Sequence, residues 1–406
     1  MRTTPFHERI APLNRTYLWE HWAGFVTAVA YQHSVATEYF ATRNSVAVFD
    51  TSPLFKYRIA GPDATAFLAG VFARDIRRCA IGEGHYTVWC NDEGYLLEDG
   101  VVLRLGEDEY LATSAEPNLR HFRSLANGHE VTVEDLSDAY GILAVQGPHS
   151  VEVIRRISPE AGSLPYFGVT RTSIANHQVV VSRTGFTADL GYEIWIETAD
   201  ALPVWDTLMD AGADYNLIPM GMRALGMARL DGGMLLINAD FEPARHAWTD
   251  AQRETPDELG LAWMVNLADD RPFVGRRAIE AERANGTSRW KTVGFHVDAA
   301  AYEAIYNNDG LAAPKEGVYE ETAHSLYDRD FNVDAGAQWV GYATSFGFSP
   351  ILKRHIGLAK LPLDRCTPGL TAHLELVVNH RPKYVPVEVS KTPFWNPARK
   401  TNKEQA

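Results

Sequence analysis

Alternation of apolar and polar positions is clearest in residues 82–105, GEGHYTVWCNDEGYLLEDGVVLRL. Two alternating apolar runs flank the turn-forming tetrapeptide NDEG, a pattern that predicts a β-hairpin. An acidic pair, Glu98 and Asp99, stands where the second strand of this hairpin begins. Strands with a buried face rarely carry carboxylates, so this pair marks the hairpin as a candidate site.

Side-chain alternation separates the two acids. Asp99, Val101 and Leu103 share one face of the predicted strand, and Glu98 points to the other, where we expect it to be exposed. If the hairpin closes around NDEG, Tyr86 lies on the Asp99 face. A carboxylate on such a partly buried face costs several kcal/mol without a hydrogen-bonding partner. Spacing alone leaves two interpretations: Asp99 caps a turn or pairs with an arginine, which spacing slightly favours, or it binds a ligand with N–H donors.

The rest of the chain predicts two kinds of region. Before residue 284 strands alternate with helices, and the predicted helices follow Asp63 and cover residues 117–126, 149–157, 219–230 and 275–284. After residue 291 only short strands split by turns are predicted, which favours a small β-barrel. The polar stretch 282–291 predicts the boundary between domains 1–284 and 285–400, and we expect 298–336 to be a long surface excursion.

Composition narrows the class of protein. The 406 residues carry a net charge of −14, which disfavours nucleic acid or an anionic membrane as a partner. No apolar run reaches the roughly 18–20 residues of a membrane helix, and the first residues have no secretory pattern. Three cysteines without metal or redox spacing predict a reducing, cytoplasmic location.

Common catalytic motifs are absent from the sequence. It has no G-x-G-x-x-G after a strand, no phosphate-binding G-x-x-x-x-G-K-[ST] and no G-x-S-x-G. None of the fourteen histidines falls in an H-E-x-x-H or a Cys/His cluster, so no metal site is predicted.

Eight short motifs nevertheless recur in a recognisable order. They are FDTSPL, GHYTVWCNDEGYLLEDG, LAVQGP, GFTADLGYEI, ARLDGGM, RPFVGRRAI, TSFGFSPILKRHIGLA and VPVEVSKTPF. With this order and spacing, residues 35–396 resemble the tetrahydrofolate-dependent aminomethyltransferase family, named for the T protein of the glycine cleavage system. The resemblance implies an α+β fold, a disc of three domains around a central folate site with a C-terminal β-barrel, and tetrahydrofolate as cofactor.

The resemblance also implies roles for individual residues. Asp99 matches the aspartate that hydrogen-bonds folate near N10 and helps to set the protonation of the reacting nitrogen, which makes it the predicted catalytic residue. Glu193 matches the acid that accepts two N–H bonds from the pterin, and Arg229 an arginine that orients Glu193 or the pterin. The other implied folate contacts are Tyr86, Val101, Leu103, Thr113 in place of an asparagine, Tyr166, and Phe186 in place of a tyrosine.

Departures from the family pattern bear on the substrate. Pro53, Leu225 and Gly226 replace a histidine, an arginine and an aspartate of the glycine-cleavage members. The resemblance is therefore closer to members that move a methyl group from a small O-, S- or N-methylated compound to N5 of tetrahydrofolate, which predicts a demethylase with a small methylated substrate as partner. The candidate substrate-lining residues are Tyr31, His33, Tyr57 and Trp89, and a place in the core or on the surface explains each of them at least as well.

Two alternative functions remain at this point. One is aminomethyl transfer in glycine cleavage. The other is folate binding without catalysis, as in a branch that carries K-G-C-x-x-G-Q; this chain has DRPFVGRRA at 270–278 instead. The sequence predicts no oligomeric state.

Overall fold

The computed structural model describes residues 1–315 and 319–402 and divides into two compact units. The first unit comprises Met1–Leu225, Trp263–Glu280 and the segment from Pro397. The second comprises Gly226–Ala262 and Ala281–Asn396.

A five-stranded antiparallel sheet, called the hairpin sheet below, contains the acidic pair. Its strands, in spatial order, are Gly84–Cys90, Leu96–Gly106, Glu109–Ser114, Phe55–Ala60 and Thr132–Asp135. The turn of the predicted hairpin forms because Asn91 accepts hydrogen bonds from the backbone N–H groups of Glu93 and Tyr95, at 3.1 and 2.9 Å, and Gly94 supplies a positive φ of 81°.

A six-stranded sheet, called the central sheet, forms the second layer of the first unit. Its strands, in spatial order, are Val169–Ile174, His177–Ser182, Gly191–Glu197, Tyr140–Gln146, Ala47–Asp50 and Ile218–Pro219. Of the described strand pairs, only the last is parallel. The nearly continuous burial of Tyr140–Gln146 and Gly191–Glu197 shows that both faces of the sheet are covered. A separate two-stranded ribbon joins Trp19–Trp22 to Phe25–Ala28.

Helices pack against both sheets of the first unit. Val35–Asn44, Ser150–Ile157 and Ala201–Gly212 contact the central sheet, and Leu119–Leu125 contacts the hairpin sheet. The other helices described before the barrel are His7–Ile10, Ala64–Val71, Met222–Asp231 and Arg276–Asn285. Phe122 packs its ring against Trp89 and Tyr57 of the hairpin sheet, with ring centroids 5.4 and 5.3 Å apart. The largest apolar core joins Ser150–Ile157 and Ala201–Gly212 to one face of the central sheet. Burial of that face drives the layered arrangement.

A smaller apolar cluster lies between the two sheets. Leu103 and Leu111 of the hairpin sheet pack there with Ile142, Val180 and Trp195 of the central sheet. The two sheets therefore face one another in the first unit, and the side chains on these inner faces share one space.

The second unit contains the C-terminal β-barrel. Its strands are Lys291–Val297, Tyr319–Glu320, His324–Tyr327, Trp339–Ser349, Arg354–Leu361, Thr371–Val378 and Arg381–Ser390. Six of them close into a ring, because Trp339–Ser349 pairs with both His324–Tyr327 and Arg354–Leu361, while Tyr319–Glu320 is added to its side. An apolar core fills the ring.

The predicted surface excursion at 298–336 is partly wrong. A helix, Ala299–Asn307, begins where the Asp298 carboxylate accepts the backbone N–H of Ala301 at 2.8 Å, and its Tyr302 is buried in the barrel core. His324–Tyr327 is a strand of the barrel itself. Residues 316–318, also within the predicted excursion, lie outside the described residues.

Within residues 1–315 and 319–402, no helix is both long enough and apolar enough to cross a membrane.

Candidate active site

Asp99 and Tyr86 lie together on the inner face of the hairpin sheet. The register pairs Val88 with Asp99 and Tyr86 with Val101, so these side chains share a face as the alternation predicts. The Tyr86 hydroxyl donates to the Asp99 carboxylate at 2.7 Å. Burial raises the pKa of Asp99, and the hydrogen bond from Tyr86 opposes that shift. Burial, followed by the nearby Asp99 charge, also raises the pKa of Tyr86.

Glu98 faces the opposite side of the same strand, and the prediction that it is exposed is wrong. Its side chain is 0% exposed. The carboxylate accepts the backbone N–H of Glu116 at 3.0 Å and that of Asp99 at 3.1 Å, and the Asn118 amide lies 3.5 Å away. Asn118 in turn accepts the Trp89 indole N–H at 3.1 Å. These partners come from the start of the helix Leu119–Leu125, which covers this face of the sheet.

Val101, Leu103 and Thr113 extend the Asp99 face. Val101 is half-buried and Leu103 is buried between the sheets. The Thr113 hydroxyl accepts the backbone N–H of Val101 at 3.2 Å, so it closes the ladder between two strands. Gly100 permits this close approach, because a Cβ there would lie 2.0 Å from the Thr113 carbonyl oxygen.

Glu193 occupies the inner face of the central sheet. Glu193 pairs with Ala144 and Trp195 with Ile142, and the last two residues pack against the hairpin sheet. Side chains two residues apart share a face, so Glu193 is directed toward the hairpin sheet as well. The Thr184 hydroxyl donates to its carboxylate. Burial raises the pKa of Glu193, opposed by that hydrogen bond.

A loop at residues 183–190 joins the strand His177–Ser182 to the strand Gly191–Glu197 and carries Phe186, which is half-buried. The Gln146 amide donates to the carbonyls of Thr184 and Tyr192, both at 3.2 Å, and accepts the Thr187 hydroxyl at 2.9 Å. Gly185 and Gly191 flank this amide so closely that a Cβ at either would lie within 2.3 Å of it. The loop is therefore built around one buried glutamine.

The candidate substrate residues are not gathered at this site. Tyr57 and Trp89 lie on the Glu98 side of the hairpin sheet, where the Tyr57 hydroxyl accepts the Asn118 backbone N–H at 2.7 Å. Their polar atoms are engaged within the core, so the prediction that they line a substrate cavity is wrong. Tyr31 is buried in the largest apolar core and His33 is exposed. Tyr166 is 39% exposed and packs edge-on against Phe167.

Arg229 belongs to the second unit and is fully buried there. Its guanidinium donates to Asp240 at 2.5 Å, to the Met234 carbonyl at 3.0 Å and to the Ser345 hydroxyl at 2.7 Å. Two further N–H groups reach the Tyr319 hydroxyl at 3.1 and 2.8 Å. All five donors are thus used inside the second unit, which leaves none to orient Glu193.

The sequence does not predict two residues that contact Glu193 and its loop, or one buried lysine of the hairpin sheet. Thr184 and Gln146 hold Glu193 and its loop; the glycines that bracket GFTADLG were the available signal, since paired glycines often mark close approach. Lys56 pairs with Thr113 in register and donates to the carbonyls of residues 52, 54 and 137. Burial lowers its pKa to about 8, and no sequence motif announces it.

The two inner-face acids have the chemistry to bind a reduced pterin. Among the residues that the structure describes, Asp99 accepts the Tyr86 hydroxyl and Glu193 accepts the Thr184 hydroxyl, whereas an ionised carboxylate can accept about four hydrogen bonds. Both retain partial exposure although their burial raises their pKa values. Acceptors in this state are completed by N–H donors such as those on the 2-aminopyrimidinone edge of a pterin.

The chain is similar to known proteins over nearly its whole length. The chain matches the model of the GCVT N-terminal domain over residues 6–269 and that of the glycine cleavage T-protein C-terminal barrel domain over residues 291–396. An aminomethyltransferase of Halothermothrix orenii is 31% identical over 97% of this chain and 100% of its own length. Another, of Saccharopolyspora erythraea, is 30% identical over 97% and 98%.

A solved structure shows the same fold. The glycine cleavage system aminomethyltransferase T from Bartonella henselae superposes with a TM-score of 0.81 at 21% identity, covering 97% of this chain and 98% of that one. The predicted mixture of helices and strands with a C-terminal β-barrel is confirmed.

The comparisons also revise the predicted activity. Tetrahydrofolate as the cofactor is confirmed, as is a one-carbon transferase that depends on it. The prediction of a demethylase acting on a small O-, S- or N-methylated metabolite is wrong, because the relatives that match nearly the whole chain are named aminomethyltransferase. The substitutions at Pro53, Leu225 and Gly226 therefore do not indicate a demethylase.

Proposed function

Because the chain belongs to the aminomethyltransferase family of the glycine cleavage T protein, we propose that it transfers the one-carbon unit of an aminomethyl group to tetrahydrofolate with release of ammonia. Tetrahydrofolate supplies the nucleophilic nitrogen for this reaction. The observation that carries the proposal is the pair of half-buried carboxylates, Asp99 and Glu193, on the two facing sheets.

Asp99 is proposed to act at the reacting end of the folate. Its raised pKa brings the carboxyl group closer to the range in which it can hold or release a proton, and Tyr86 fixes its orientation. Orienting one nitrogen in a site that excludes most water supplies much of the rate enhancement in a displacement of this type. Asp99 therefore both positions the folate and moves a proton.

Glu193 is proposed to read the pterin ring. Thr184 holds one carboxylate oxygen, and the remaining lone pairs accept parallel N–H bonds from the ring. Val101 and Leu103 supply apolar surface on the opposite sheet. These two roles predict that substitution of Glu193 mainly weakens the binding of tetrahydrofolate and that substitution of Asp99 mainly lowers the turnover rate.

The test uses the full chain with tetrahydrofolate and an aminomethyl-lipoyl carrier protein. Ammonia release that requires tetrahydrofolate, together with formation of methylenetetrahydrofolate, would support the proposal. A parallel assay with free aminomethyl-dihydrolipoamide addresses Pro53, Leu225 and Gly226, which stand at positions where glycine-cleavage members differ. Absence of ammonia from both substrates, with tetrahydrofolate bound, would contradict aminomethyl transfer.

A further inference from the structure

We propose that the C-terminal segment from Pro397 to Asn402 is a positioning element of the folate site, and that Arg399 is its key residue. Arg399 holds the 183–190 loop in the conformation that presents Glu193 to the pterin. This inference rests on the proposed function and adds to it a residue that does not itself touch the folate.

The contact between the segment and the loop is a charged hydrogen-bonded pair. Arg399 donates through Nε and Nη2 to the two carboxylate oxygens of Asp189, at 2.7 and 2.9 Å. The Asp189 side chain is 0% exposed and that of Arg399 is 20% exposed. Bidentate pairs of this kind fix geometry as well as charge, and the burial of Asp189 shields the pair from solvent.

A second guanidinium completes the arrangement around Asp189. Arg43, from the helix Val35–Asn44, lies 3.6 Å from the same carboxylate and donates to the Thr187 carbonyl of the loop at 2.8 Å. Arg399 also donates to the Arg43 carbonyl at 2.9 Å. The loop is thereby tied to a helix and to the C-terminal segment at one point.

The other end of the loop is tied to the same segment. Arg183 immediately precedes Thr184, and its Nη2 reaches the carbonyls of Arg399 and Lys400 at 3.3 and 3.2 Å. Both ends of the loop therefore contact a stretch of six residues, Pro397 to Asn402. That stretch lies beyond the range matched by the family barrel model.

Hydrogen bonds through Thr184 and Gln146 connect the loop to Glu193. Thr184 donates its hydroxyl to Glu193, and the Thr184 carbonyl accepts the Gln146 amide. Thr187 and Tyr192 bind the same Gln146 side chain from the other end of the loop. A shift of Asp189 away from Arg399 would move the loop around Gln146 and release the Thr184 hydroxyl from Glu193.

Two variants of the full chain and one matched control test the proposal. Arg399→Met removes the pair, and Arg399→Lys keeps the charge but loses the bidentate fork. Arg9→Met is the control, since Arg9 makes an equally bidentate pair with Asp206, at 2.8 and 3.0 Å, on an exposed surface of the same unit. The dissociation constant for tetrahydrofolate is measured for each by titration calorimetry, well below the unfolding temperature.

We expect Arg399→Met to weaken tetrahydrofolate binding on the order of tenfold, Arg399→Lys to restore part of the loss, and Arg9→Met to bind as the wild type does. In a Glu193→Gln background, Arg399→Met should change the dissociation constant less than about threefold, because the residue through which it acts is already altered. A lower unfolding midpoint with unchanged affinity would overturn the proposal, and so would full additivity with Glu193→Gln.

Hydrogen exchange separates this inference from the proposed function. Amides of residues 184–193 should exchange faster in Arg399→Met than in Arg9→Met, with or without folate, because the loop loses its clamp. If the wild type fails to bind tetrahydrofolate, the proposed function fails whatever the exchange shows. If the wild type binds and the loop exchanges at the same rate in Arg399→Met and wild type, the positioning role alone is wrong.

Discussion

The two faces of the strand Leu96–Gly106 place neighbouring acids in different environments. On the outer face, Glu98 is completely buried and its carboxylate contacts Glu116 and Asn118. On the inner face, Asp99 retains partial exposure and accepts the hydroxyl of Tyr86. One residue of displacement along a strand thus separates a structural acid from one that is available to a ligand.

The hydrogen bonds that the protein supplies to each acid indicate which of the two has a structural role. A buried carboxylate whose partners are all supplied by the protein stabilises the packing of a helix on a sheet. Burial raises the pKa of a half-buried carboxylate such as Asp99 when the protein does not fill its acceptor positions, and this makes the ligand-free fold less stable. Natural binding sites keep such groups because ligand binding offsets the loss of stability. The following substitutions test whether the two faces of this strand differ in function.

Asp99→Asn has the largest expected effect. Turnover of the aminomethyl substrate should fall by about 10²–10⁴-fold, since the amide can neither take up nor release the proton that the carboxyl group handles. Steady-state rates at saturating tetrahydrofolate provide the measurement, with the thermal unfolding midpoint as the check on folding. Wild-type turnover in this variant would remove Asp99 from the reaction.

Glu98→Ala should produce the reverse pattern. Loss of the buried acceptor leaves the backbone N–H groups of Glu116 and Asp99 and the Asn118 amide without it, which should cost about 1–3 kcal/mol of stability and lower the unfolding midpoint by roughly 5 °C. Turnover per folded molecule should change less than about threefold. A large loss of turnover with unchanged stability would show that the two faces do not differ as described.

Glu193→Gln should act on affinity rather than on turnover. A hydrogen bond to a charged group contributes about 1.5–3 kcal/mol, so the dissociation constant for tetrahydrofolate should rise by at least about tenfold. The rate at saturating folate should remain within about threefold of wild type. Titration calorimetry and initial rates measure the two quantities, and an unchanged dissociation constant would argue against pterin recognition by Glu193.

The smallest effect concerns pH. Because burial raises the pKa of Asp99 above its ordinary value of 3.8, the folded protein binds the proton more tightly than the unfolded chain. Its contribution therefore makes the ligand-free protein less stable as the pH rises from that value through the raised pKa. Relative to Asp99→Asn, the wild-type unfolding midpoint should fall across this range in a thermal scan series. A rising difference would mean that the pKa is lowered instead.

Much of this comparison is readable in the sequence. Alternation alone places Asp99, Val101 and Leu103 on one face with Tyr86, and the order of short motifs identifies Glu193. The burial of Glu98 was not predictable in this way, because its partners lie about twenty residues further on and reach it only when a helix covers the outer face. Local periodicity reports which face a residue occupies and not what covers that face.

Other errors have equally specific causes. The helix Ala299–Asn307 was missed although Asp298 is a good N-cap and Tyr302, Ile305 and Tyr306 repeat at helical spacing; its polar neighbours masked the pattern. Aromatic side chains suit both cavities and cores, so the sequence alone does not show that Trp89 lies in the core. Arg399 carries no motif, since its role depends on a contact with Asp189 that lies 210 residues away along the chain.

A crystal structure of the full chain with tetrahydrofolate would show whether Asp99 and Glu193 bind the folate between the two sheets of the first unit. We expect the pteridine between the hairpin sheet and the central sheet, with ring N–H groups within hydrogen-bond distance of Glu193 and Asp99 facing a folate nitrogen, while Glu98 keeps its contacts with Glu116 and Asn118. A complex in which Asp99 points into bulk water, with the folate bound elsewhere, would contradict the claim.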